Sequence, residues 1–169
     1  MRKFVLIAAV ALATGLALGG CSKQADDQDQ AAATQQTKAV AKPTDVNDAK
    51  AWQAYLGPLV QKNLQGMTMP QPYVYFITPG QSDDDKAQND RQLQNVQDTV
   101  ARGVTPGNLL AFAGPVSATT ADLVVAAFKD VQAGTFKGSI VLFIGDQADQ
   151  QRVADAIKPS GAEFRFVAM

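Results

Sequence analysis

The stretch Ile140-Val141-Leu142-Phe143-Ile144, followed at once by Gly145-Asp146-Gln147, decides the fold. Five apolar residues in a row, without polar alternation, suit a strand covered on both faces, as in a parallel sheet. The glycine ends the strand, and residues 147–158 then read as a helix with Val153 and Ile157 on its apolar side. The same unit occurs elsewhere in kind, though not in sequence. Residues 109–113 run into Gly114-Pro115 and then into helical residues 119–131, where Leu123, Val124, Ala127, Phe128 and Val131 share a face. Residues 73–77 run into Thr78-Pro79-Gly80 and then into a long polar helix over 83–103, whose apolar stripe is only Leu93, Val96 and Val100. Residues 163–167 alternate polar and apolar, which places them at a sheet edge. Strands alternating with helices predict an α/β domain with a small, mostly parallel four-stranded sheet flanked by helices. Right-handed crossovers let those helices cover both faces. Strand order is not legible at this level.

Upstream of the sheet, Trp52, Tyr55, Leu56, Leu59, Val60 and Leu64 recur at three- and four-residue steps, so residues 48–65 form an N-terminal amphipathic helix. Gly57-Pro58 interrupts it and predicts a kink or two short helices. Trp52 and Tyr55 read as packing against the sheet, with a partner-binding anchor pair as the alternative. Residues 22–47 have no aromatic side chain and are dominated by Gln, Ala, Asp and Lys. Such a segment buries too little apolar surface to offset its ordering entropy, and it reads as a disordered tether without stable contacts. As a flexible coil it spans roughly 28 Å root-mean-square. The alternative is a segment that folds on a partner. The organisation is therefore 1–20, 21–47 and 48–169.

At the amino end, Arg2 and Lys3 precede an uncharged, dominantly apolar run over residues 4–18, the n- and h-regions of a secretory signal peptide. As a helix the run is roughly 22 Å long. That is short of the hydrocarbon thickness of about 30 Å, so it makes a poor permanent span. Leu18-Gly19-Gly20-Cys21 follows. This quartet resembles the lipobox of bacterial lipoproteins, a resemblance confined to residues 1–21. It implies cleavage before Cys21, a diacylglyceryl thioether on its sulfur and an acylated amine. The lipid would be the membrane anchor, since two or three chains hold stably where one does not. Ser22 in the next position implies, for a Gram-negative host, the periplasm-facing outer membrane rather than the inner one.

The whole chain carries 15 basic and 16 acidic residues; without Arg2 and Lys3 the count is 13 against 16, a formal charge of −3. Nucleic acid is excluded as a partner on charge, and no polybasic patch holds anionic lipid. There is no His, and Cys21 is the only Cys. Those two facts remove intrachain disulfides, His-Cys zinc sites, Cys-His and Ser-His-Asp centres and thiol exchange. An enzyme is not expected, nor any cofactor beyond the lipid on Cys21.

If the sheet is parallel, its strand-to-helix loops share one rim, where ligands of open α/β sheets bind. Gly80, Ser82, Gly114, Ser117, Thr119, Gly145 and Asp146 populate those loops. They fit an anion or small-ligand site at helix N-termini. Turn and capping duties are the stronger reading, with the glycines at positive φ and Ser, Thr or Asp as N-caps. The Asp83-Asp84-Asp85 run repels phosphate and lacks the alternate spacing of a calcium loop, so no metal is expected. Gln88, Asn89, Gln92, Gln94, Asn95 and Gln97 read as an uncharged, exposed polar face of the second helix, either solvated or a protein-binding surface. The leading expectation is a lipid-anchored envelope module that binds a protein partner, as accessory subunit or protective inhibitor. The alternative is a small-ligand binder at the rim.

Overall fold

A computed structural model describes residues 40–169. The expected signal peptide, Cys21 and residues 22–39 of the expected tether lie outside the described residues. The elements run α1 (Ala49–Gln61), β1 (Tyr73–Phe76), α2 (Asp83–Arg102), β2 (Leu109–Ala113), α3 (Ser117–Phe128), β3 (Ile140–Gly145), α4 (Gln147–Ile157), a 3₁₀ turn (Lys158–Ser160) and β4 (Glu163–Ala168). The sheet is α/β as expected and wholly parallel, in the order β1-β2-β3-β4.

That order corrects one expectation. When every crossover has the same hand and steps the same way, every crossover helix falls on the same face. Accordingly α2, α3 and α4 all pack on one side, where Val96, Val100, Val124, Phe128, Val153 and Ile157 meet Leu110, Phe112, Val141 and Phe143. Among the described residues α1 is the one helix on the opposite face, with Trp52, Leu56 and Val60 over Leu109, Ala111, Ile140 and Leu142, and Leu64 and Met67 after it pack against the same cluster.

β4 is an edge, as its alternation predicts. β1 is the other edge, so its apolar run is not buried on both faces: Tyr73 is 47% and Val74 52% exposed. α1 is continuous through Pro58, without the expected break. Burial of Leu56 and Val60 on either side holds the turn helical despite the missing donor. Two further boundaries differ. α3 starts at Ser117 rather than Thr119, and the ordered chain includes residues placed in the tether. The Trp52 indole donates to the Asp45 carbonyl at 2.9 Å, and Lys42 Nζ lies 3.9 Å from Asp146.

Candidate functional site

The four helices direct their N-termini to the carboxyl end of the sheet, so the expected rim exists. Its polar groups are spent on the protein itself. Ser82 caps α2: its oxygen accepts from Asp85 N at 3.0 Å, and the Asp85 carboxylate reaches back to Ser82 N at 3.4 Å, a reciprocal capping box. The Thr119 hydroxyl donates to the Pro79 carbonyl at 3.2 Å. Ser117, buried in the first turn of α3, donates to Asp149 Oδ2 at 2.5 Å and accepts from Asp146 N at 2.7 Å, so it ties the N-termini of α3 and α4. Asp146 precedes α4 but makes no side-chain cap bond; neither does Val116 before α3. Unpaired, inward-pointing hydroxyl donors of the kind a ligand site needs are absent at Ser117 and Thr119.

Of the three rim glycines only Gly80 sits at positive φ, at 75°. Gly114 and Gly145 instead permit close approach. A Cβ on Gly114 would lie 2.4 Å from Ile77 O and 2.7 Å from Thr120 Oγ1. On Gly145 it would meet the Phe143 ring at 2.5 Å and Ser117 Oγ at 2.7 Å. The turn role expected of both is thus replaced by a packing role.

The charged centre of the rim is Asp149 with Arg152 and Asp122. Arg152 Nε donates to Asp149 Oδ1 at 2.9 Å, its Nη2 to the Ala118 carbonyl at 3.1 Å, and its Nη1 to Asp122 Oδ1 at 2.5 Å. Burial pushes the Asp149 carboxyl up, but the Ser117 hydroxyl and the Arg152 guanidinium outweigh it and hold the group below the ordinary carboxylate range. The Arg152 guanidinium is raised in turn, first by its bond to Asp122. The cluster welds α3 to α4.

One residue assigned to the polar face of α2 has another role. Asn89 is half-buried and holds the end of β1, bonding Thr78 through backbone and hydroxyl. Nothing in the spacing of the Gln and Asn residues marks it, because the signal is the strand end opposite, not the helix.

Two grooves remain. A rim groove of about 300 Å³ lies among Val46, Asn47, Phe76, Thr78, Ser82 and Pro115. It gathers Ser82 but not Ser117, Thr119, Gly145 or Asp146. An apolar groove of about 290 Å³ lies between α1 and β1. Its setting was legible in the sequence by a signal other than periodicity: from Ala51 to Ser82 the only charged side chain is Lys62. The same stretch holds all three Tyr and the Trp. Charge depletion marks the centre of protein interfaces, whereas Trp52 is buried in the core.

Among the described residues, no cluster of His, Cys, Asp or Glu could hold a metal, and no helix is long and apolar enough to cross a membrane. The geometry is that of a singly wound parallel α/β domain with a self-satisfied rim and an open apolar flank. No family model, curated protein or solved structure matches the chain.

Proposed function

We propose that this chain is a lipid-anchored lipoprotein of the cell envelope, held by Cys21 at the periplasmic face of the outer membrane, which binds a protein partner and catalyses nothing. The observation that carries the reading is the uncharged, partly exposed groove between α1 and β1, on whose floor Val74 is exposed. An exposed apolar patch rimmed by polar residues is a mark of protein association. The rim supports the reading by what it lacks. Its order of winding has no switch point between strands, which is where open α/β sheets form their ligand crevice.

The rim groove favours the second reading, a neutral small ligand. The two separate by experiment. The full chain, extracted in mild detergent from envelopes, is expected to carry one protein partner in fixed stoichiometry. It is expected to show no thermal stabilisation by sugars, cell-wall fragments or nucleotides. A ligand bound at one hundred times its dissociation constant would add about 2.7 kcal/mol. Such a shift, abolished by a substitution at Ser82, with no stoichiometric protein, would replace the first reading with the second.

A further inference from the structure

The α1 face of the sheet is half covered. A helix is about 10 Å across and strands lie about 4.8 Å apart, so one helix covers roughly two strands. α1 takes β2 and β3. The β4 flank is closed in another way: Arg165 stands in the strand and donates to the Asn63 carbonyl at 3.0 Å, which draws the loop after α1 over it. On the β1 flank none of the described residues plays that part. Val74 and Phe76 form the floor of the apolar groove, and Leu56, Gly57 and Val60 form its wall.

We propose that this lane is the docking site for an amphipathic helix of a partner protein, lying beside α1 and across β1. The proposal rests on the binding-lipoprotein reading and adds the site and the class of partner. Three observations select that occupant. The apolar surface lies on the face of the sheet, between a helix and a strand, and not only along the edge that an added strand would use. Gln53, Gly57 and Gln61 are four residues apart, so they share one ridge of α1. A Cβ on Gly57 would have nothing within 4 Å, which leaves room for a partner backbone at helix-packing distance. The lane carries no charge, so the partner's seam is apolar at three- and four-residue spacing with amide or hydroxyl flanks. A charged seam residue would be desolvated without a counter-charge.

A second copy of this chain fits worse. If two β1 strands paired edge to edge, the two α1 helices would stand roughly 19 Å apart, four strand spacings. That is about twice the distance at which helices pack. Both lanes would stay open.

The test places a benzophenone amino acid at Gln53, Gly57, Gln61 or Val74 of the full chain, with Gln94 of α2 and Asp155 of α4 as controls. The chain is irradiated in its own host cells, and the attached residues are mapped by mass spectrometry. The expected result is adducts from the four lane positions on a single segment of one partner, at residues three or four apart. Val74→Lys should cut the adduct yield at Gln61 roughly tenfold, a loss of about 1.4 kcal/mol, without lowering the melting temperature of the purified variant. Gln53→Glu inserts the charge at an exposed helix position should Val74→Lys prove unstable. Adducts on a second copy, attachment at two-residue spacing, or no adduct from any lane position overturns the proposal. Protein adducts only from Gln94 would remove this site while leaving the binding reading in place.

Discussion

Asn89 grips Thr78 with both ends of its carboxamide: Oδ1 accepts from Thr78 N at 3.0 Å, and Nδ2 donates to Thr78 O at 3.1 Å. The side chain thus pairs the backbone where β1 ends, as a neighbouring strand would. Thr78 is buried, so its groups have no water to turn to. Asn89→Ala should cost about 1–3 kcal/mol, the range for leaving buried partners unsatisfied. Asn89→Asp should cost at least as much at neutral pH, because a carboxylate cannot donate to the Thr78 carbonyl. Urea unfolding of the two variants checks both values; an Asp variant as stable as the parent would rule out the donor role.

The Ser117–Asp149 bond gives a pH signature. Asp149 has a depressed folded-state pKa, so its stabilisation is present above the unfolded value of about 3.9. It is lost as pH falls through the lower folded value. The stability difference between the parent and Asp149→Asn should therefore be widest above about pH 4 and shrink below it. Ser117→Ala removes both the donor to Asp149 and the acceptor for Asp146 N, and should cost about 1–3 kcal/mol. A difference that is flat from neutral pH down to the acid transition would contradict the pairing.

Glycines can be separated by mechanism. Gly114 is short of space, and any side chain there must displace Ile77 O or Thr120 Oγ1. Gly134 has φ 76° and open space around it, so its only demand is the left-handed backbone. Gly134→Ala should cost about 1–2 kcal/mol, and Gly134→Asn less, since Asn visits that region readily. At Gly114 the order reverses, and Asn should be worse than Ala because it is larger. Thermal unfolding of the four variants decides it.

The anchor is tested at one atom. Cys21→Ser should yield a chain that takes up no radiolabelled fatty acid, whether it remains uncleaved or is released in soluble form. Only a thiol supplies the sulfur for the thioether. Normal labelling of this variant would remove the lipobox assignment.

Much of the architecture was legible because β2 and β3 are buried on both faces and spell it in continuous apolar runs. The same rule misread β1. An apolar run states what a strand is made of, and only its neighbours in the sheet state what covers it. The winding order was out of reach for the same reason: each βαβ unit looks alike locally, and the side taken by its helix depends on where the next strand lands. At the rim the residue types were foreseen, but not their pairing. Ser117 and Asp149 are 32 positions apart, and no periodicity links them. Conversely the charge-poor stretch around α1 and β1, with Lys62 as its only charge from Ala51 to Ser82, is visible in the letters alone. It stands out only once composition is read by segment rather than by whole chain.

The order β1-β2-β3-β4 also bears on how the chain reaches its fold. Each new strand pairs with the strand made just before it, and no strand has to wait for a distant segment to complete its hydrogen bonds. Local pairing of this kind shortens the loops that must close and speeds folding. A chain emerging amino end first, from a ribosome or an export channel, can add one βα unit at a time to an existing edge. The last edge laid down is β4, which bears Glu163 and Arg165. Those charges resist pairing of this edge with a further strand.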